Sequence, residues 1–249
     1  MNTLISLDGL SKHFDNGVEA LRDVSLNVEQ GEFLSLVGPS GCGKSTLLRL
    51  IAGLTEPTAG AVKWAGTKPE IGFVFQEPTL MPWANALANA RLPLDLKSIP
   101  KQEGAARSAQ ALARVGLGGF EHAYPRELSG GMKMRVALAR ALVAKPKILL
   151  LDEPFAALDE FTRQDLNDQL LSLAQSDGLT IIFVTHSVYE SAYLSNRVAV
   201  MSPRPGKITA ELNLDPPQQR DEKWRLSPGF AEQAGRISAA LRSNMQAAA

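Results

Sequence analysis

The sequence predicts an α/β protein with antiparallel β structure at its start and a helical block inserted into a parallel-sheet core. Three observations carry that prediction. KILLLDEP and TIIFVTH are short apolar runs suited to strands buried on both faces, and helix-period segments follow them. LISLDGLSKHF and VEALRDVSLNV flank DNG, a turn signal, as a hairpin would. EGAARSAQALARVGL and MRVALARALVA carry helical periods from Lys101 to Ala144.

Element by element, the hairpin ends at EQGE, and FLSLV, Phe33 to Val37, is a strand that delivers the chain into a glycine-rich loop. STLLRLIAGL then has helical spacing. After the TEPTAG turn, AVKWAG and IGFVFQ are strand candidates, and from Glu77 to about Pro100 prolines recur among apolar residues with few strong strand formers. DEFTRQDLNDQLLSLAQ and SVYESAYLS read as helices, RVAVMS and KITAELN as closing strands, and AEQAGRISAALRSNMQ as a terminal helix. The expected organisation is one domain, 1–249, with its core at 1–83 and 147–212. The helical insertion spans about 84–146 and a helical tail about 213–249.

At 249 residues and 45% hydrophobic content, the chain can bury a sizeable core. Lysine and arginine number 26 and so do aspartate and glutamate, so no whole-chain field draws in nucleic acid or an anionic membrane. The one cysteine, Cys42, excludes an internal disulfide. The start MNTLISLDGL lacks the pattern of a secretory signal, and no apolar run approaches the roughly 20 residues of a membrane-spanning helix. These features fit a soluble cytoplasmic protein. No pattern joins His13 or His122 to other ligands, which disfavours zinc.

GPSGCGKST, Gly38 to Thr46, fits G-x-x-x-x-G-K-[ST] between a strand and a helix, the context in which that motif holds phosphate. Gly38, Gly41 and Gly43 let backbone amides curl around phosphate oxygens without Cβ interference. Lys44 supplies a charge toward the β and γ phosphates, Ser45 a ligand for Mg²⁺, and Thr46 a hydroxyl. Cys42 offers its amide rather than a catalytic thiol. ILLLDEP ends a strand in two carboxylates: Asp152 suits the Mg²⁺ shell, and Glu153 the alignment or deprotonation of an attacking water. Gln76 ends the strand IGFVF and can reach Mg²⁺ or that water. His186 ends TIIFVT, either beside a γ phosphate or as an ordinary loop residue.

A second glycine site lies in ELSGGMKMRVALARAL, where Ser129, Gly130 and Gly131 precede a helix and would present a hydroxyl and amides to an anion. The chain has one P-loop lysine and one Mg²⁺ set, so a second independent nucleotide would bind without them. The economical reading is a two-fold homodimer in which this surface covers the nucleotide held by the other copy.

With these motifs in order over about residues 4–212, the chain resembles an ATP-binding cassette (ABC) transporter ATPase, which implies a P-loop NTPase ABC ATPase core. The resemblance implies a Walker A loop at Gly38–Ser45, with Pro39 and Ser40 in the nucleotide-contact set. It further implies a Q-loop at Gln76, a signature at Leu128–Met132 and Walker B at Ile148–Asp152. Glu153 becomes the catalytic carboxylate, Ala157–Asp159 the D-loop with Asp159 linking the two sites, and His186 the switch histidine. Phe14 falls where the family stacks an aromatic on adenine, and equally could be a β-core residue. FQEPTLMPW, SGGM and VMSPRPGKI look most like importers of the nitrate, sulfonate and taurine group. Ser187, Ala84 and Asn85 depart from residues common there.

The implied cofactors are ATP and Mg²⁺. The implied partners are a second copy, integral membrane permease subunits and, indirectly, a solute-binding protein, with the chain peripheral on the cytoplasmic face of the bacterial inner membrane. Met81, Pro82 and Trp83 either dock a permease helix or pack internally. Two alternatives are a soluble ABC protein acting on DNA or ribosomes and a small-molecule kinase. The first is disfavoured because residues 45–128, 84 in all, leave no room for a long coiled coil between the P-loop and the signature. The second leaves LSGGM without a task.

Overall fold

A computed structural model describes residues 2–246, which form two compact units. One unit comprises the chain up to Lys68 together with the chain from Ala174 onward; the other is Pro69–Leu173. The fold is α/β.

In the first unit, β1 (Thr3–His13) pairs antiparallel with β2 (Glu19–Glu29) and with β4 (Ala59–Trp64). The inward alternation of β1 changes phase, from Ile5 and Leu7 to Leu10, because Leu7 opposes Leu26 while Leu10 opposes Val24. That extra residue is a bulge, which re-aims the following side chains. β3 (Phe33–Val37) lies between β7 (Thr180–Val184) and β8 (Arg197–Met201), parallel to both. Every residue of β3 and β7 is buried, as continuous apolar runs require of central strands. β9 (Ile208–Asn213) runs antiparallel along β8 and alternates half-buried with exposed residues, the pattern of a strand with one wet face.

Helix α1 (Lys44–Ala52) follows β3, and α6 (Val188–Leu194) follows β7. The tail adds a short helix, α7 (Glu222–Arg225), and a long one, α8 (Pro228–Gln246), whose Phe230, Ala234 and Ile237 are buried where it packs on α6 and β8.

The second unit holds the parallel pair β5 (Ile71–Val74) and β6 (Ile148–Asp152), with helices α2 (Ala86–Leu96), α3 (Lys101–Arg114) and α4 (Gly130–Leu142) packed on one another. Helix α5 (Glu160–Asp177) begins here and runs on into the first unit.

Helical structure thus starts at Ala86, well before the Lys101 that periodicity indicated. Pro93 lies inside α2, where it removes one backbone donor and masks the helical signal. Two asparagines offset it. Asn85 caps the helix by accepting from the Ala88 N–H at 2.9 Å. Fully buried Asn89 ties the preceding loop down, its Oδ1 accepting from Met81 N at 2.7 Å and its Nδ2 donating to the Met81, Ala84 and Asn85 carbonyls.

Candidate functional site

In the first unit, the site grows from the buried end of β3. The chain leaves Val37, turns through Gly38–Gly43 and enters α1 at Lys44. The cap of α1 is Gly43, which brings no side chain to the first-turn amides and leaves that helix end shaped for an anion. Only glycine fits there: φ is 106°, and a Cβ would lie 2.7 Å from Leu21 Cδ2 and 2.8 Å from the Ala20 carbonyl oxygen. Lys44 is 4% exposed, and its Nζ donates to the Gly38 and Pro39 carbonyls at 2.9 and 3.0 Å, so the ammonium is held over the loop it serves. Cys42 is buried, with its Sγ 3.9 Å from Lys44 Nζ and its N–H reaching the Pro39 carbonyl at 3.3 Å. Ser40 and Gly41 are exposed, and Ser45 and Thr46 lie half-buried on the first turn of α1.

His186 belongs to the same sheet edge. Leu36 of β3 is in register with Val184 of β7, so Gly38 and His186 each stand two residues beyond a paired position. Thr185 N donates to the Leu36 carbonyl at 3.3 Å. The turn that carries exposed His186 is braced by groups the sequence reading missed. The hydroxyl of Thr185 hydrogen-bonds the buried Glu190 carboxylate and accepts from Ser187 N at 2.9 Å, while Ser187 Oγ caps α6 by accepting from Glu190 N at 3.2 Å. The S-x-x-E spacing of a helix start was the available signal. Ser187, the departure from the usual aspartate, keeps the capping function. Phe14 follows β1, is 41% exposed and has Lys12 Nζ 5.3 Å from its ring centroid, so it is not a β-core residue.

In the second unit, Val74 pairs with Leu151, which places Gln76 and Glu153 each two residues past a register pair on adjacent parallel strands. Asp152 is buried, Glu153 half-buried and Gln76 exposed. Glu153 has φ 47°, in the left-handed region. Asp152 and Gln76 offer hard oxygen donors of the kind Mg²⁺ takes. Among the described residues no group of three or more His, Cys, Asp or Glu could hold a metal ion. Two such donors without a cluster of acids suit an ion that keeps water and shares its ligands with phosphate.

The Ser129–Gly131 turn caps α4, with Ser129 Oγ accepting from Met132 N at 3.2 Å. Ser129 and Gly130 are exposed and Gly131 is buried. A Cβ on Gly131 would fall 2.5 Å from Thr162 Cγ2. Thr162 cannot turn away freely, because its N–H and hydroxyl donate to the two Asp159 oxygens at 3.0 and 2.7 Å. Those bonds hold the exposed Asp159 carboxyl below the ordinary aspartate range, the backbone N–H first. The Ser129–Gly131 turn therefore meets the methyl group of Thr162 on α5, and Thr162 is in turn bonded to Asp159. At the far end of α4, Arg140 donates to the Pro78 and Thr79 carbonyls at 2.7 and 3.0 Å, so the segment after Gln76 is tied to the same helix. Trp83 is 77% exposed, which removes internal packing as its role.

Residues 21–156 match the ABC transporter family. Over 226 residues the chain is 45% identical to the aliphatic sulfonates import ATP-binding protein SsuB of Bacillus cereus, covering 87% of this chain and 89% of that one. It is 41% identical to the taurine import ATP-binding protein TauB of Yersinia pestis, covering 85% of each. Among solved structures, a dimeric ATP-binding cassette in a post-hydrolysis state with ADP and Pi aligns with a TM-score of 0.76 and 34% identity, over 85% of this chain and 99% of the other.

Proposed function

Because the chain belongs to the ABC transporter family and is an ATPase, we propose that it powers an importer, driving a small sulfonate-, taurine- or nitrate-like solute through a separate membrane permease. The observation that carries the proposal is the presence of two anion-ready helix starts in a chain with one P-loop. The second, at Ser129–Gly131, exposes Ser129 and Gly130 and has no phosphate lysine in its turn, so it is suited to a nucleotide held by another copy. The likeness to a dimeric cassette with ADP and Pi supports that arrangement. The SsuB and TauB relatives support the importer assignment and the solute class.

In this reading the amides of residues 38–46 and the Lys44 ammonium grip the β and γ phosphates, and Phe14 stacks on adenine. Bound Mg²⁺, held by Ser45, Gln76 and Asp152, would neutralise charge on the phosphate oxygens. Glu153 accepts the proton of the attacking water, Gln76 orients that water, and His186 donates to the γ phosphate as charge spreads over it. The second copy's signature turn binds the same γ phosphate, so closure is favoured only while the triphosphate is whole. Asp159 links the paired sites. A solute-binding protein would deliver cargo to the permease, and the chain itself would sit peripherally on the cytoplasmic membrane face.

Mixed dimers test the composite site. Lys44→Ala spoils one copy's P-loop and Ser129→Arg the other's signature turn. Neither variant alone should associate on ATP addition, whereas their mixture retains one intact composite site and should form a dimer, read by light scattering. A mixture that stays monomeric while the unaltered chain dimerises would remove the shared-site reading.

A further inference from the structure

The segment Met201–Gly206, MSPRPG, marks an importer subgroup in the sequence but has no task in the reading above. In the structure it runs along the outside of the phosphate loop and meets it at three points. β3 and β8 are in register at Val37 and Val200, and a Cβ on Gly38 would lie 2.9 Å from the Met201 carbonyl oxygen. Arg204 donates from both Nε and Nη2 to the Gly41 carbonyl, at 3.1 and 2.9 Å. A Cβ on Gly206 would sit 2.1 Å from the Cys42 carbonyl oxygen, so only glycine is admitted.

The brace is itself anchored. Gly206 N donates to the Ala20 carbonyl at 2.9 Å and its carbonyl accepts from Arg22 N at 3.0 Å. Ser202 Oγ closes the turn by accepting from Lys207 N at 3.0 Å, and Asn244 Nδ2, from α8, donates to the Met201 carbonyl at 2.7 Å.

In a trans peptide the C=O and the following N–H point to opposite sides. Holding the Gly41 carbonyl outward therefore turns the Cys42 N–H toward the inside of the loop. There it lies 3.3 Å from the Pro39 carbonyl, a long bond that a phosphate oxygen can replace. Gly41, at φ 74°, precedes this peptide, and glycine restricts the rotation that orients it less than any other residue would. The Arg204 fork supplies that constraint.

We propose that Arg204 is a positioning residue for nucleotide binding: by gripping the Gly41 carbonyl it locks the Gly41–Cys42 peptide with its amide facing the phosphates, so that the anion cradle exists before nucleotide arrives. The inference rests on the reading of Gly38–Thr46 as the phosphate loop.

The test uses the 249-residue chain with Arg204→Ala, Arg204→Lys and Lys44→Ala. Arg204→Ala should raise the Kd for ADP and the KM for ATP together by about fivefold, the loss expected for one exposed charge-assisted contact. The loss of binding common to ground and transition states falls in KM rather than in kcat. The melting temperature without nucleotide should not move, and Arg204→Lys, with a single donor, should recover part of the affinity. Unchanged ADP affinity in Arg204→Ala alongside a large loss in Lys44→Ala overturns the role of Arg204 and leaves the phosphate loop standing. A lowered melting temperature with lowered kcat but unchanged Kd also overturns it, as a merely structural contact. Retained ADP affinity in Lys44→Ala instead removes the phosphate-loop reading beneath the inference.

Discussion

Glu153 holds a left-handed backbone one residue before Pro154, at φ 47°. An L-residue there costs about 1–2 kcal/mol relative to the right-handed region. Such strain is found where surrounding structure over-determines a functional position. The strand end fixes it here, since Leu151 is locked in register with Val74 and Asp152 is buried. Glutamine can take the same backbone and nearly the same shape, so Glu153→Gln removes proton acceptance and little else. The expected result is a fall in kcat of about 10²–10⁴-fold, the usual contribution of a general base, with nucleotide affinity nearly unchanged. Steady-state turnover and equilibrium ATP binding on the same preparation decide it. Unchanged turnover would remove Glu153 from the proton path.

Between elements, the contact that matters most is the close approach of α4 and α5 at Gly131 and Thr162. Gly131→Ala would place a methyl 2.5 Å from Thr162 Cγ2, and Asp159 holds Thr162 against rotation. Overpacking of this kind costs about 1–3 kcal/mol, and here the displaced group is a D-loop partner. Gly131→Ala should therefore lower both the melting temperature and ATP turnover. Adding Thr162→Ser, which removes the methyl and keeps the hydroxyl, should restore most of each. Additive losses in that double-mutant cycle would show that the two helices are not coupled through this contact.

The sequence allowed each partner to be placed separately: SGG before a helical period, and ALDE at the next helix start. It could not show that a threonine three residues beyond Asp159 fills the space above Gly131, because no local period encodes which helices meet. The same limit hid α2, whose Pro93 argues against a helix until buried Asn89 is seen holding the loop before it. It also hid the grip of Arg204 on Gly41, a pair 163 positions apart. The strands were readable because continuous apolar runs have few other homes, and the P-loop because its spacing and its strand-to-helix context coincide.

For the molecule as a whole, the tail is part of the fold rather than an appendage. Ile237 is fully buried where α8 packs on α6 and β8, so Ile237→Ala should cost about 2–5 kcal/mol of unfolding free energy. Chemical denaturation measures it, and a loss below about 0.5 kcal/mol, ordinary for a surface site, would show that α8 is only loosely docked.

Trp83 presents the opposite case. In the importer role proposed above, work would leave this chain through a surface that docks the permease. Trp83 exposes 77% of itself on a loop whose backbone is pinned by Asn89, and Arg140 ties the preceding Pro78–Thr79 segment to the signature helix. A large aromatic held rigidly in solvent loses little freedom on docking, the property of an interface anchor. Trp83→Ala should leave the melting temperature of the isolated chain in place and, if the proposed permease docks here, weaken that association about 30-fold or more, as loss of a hot spot does. Recovery of the chain on detergent-solubilised permease, titrated over concentration, reads the difference. Full recovery of Trp83→Ala would move the coupling surface elsewhere on the molecule.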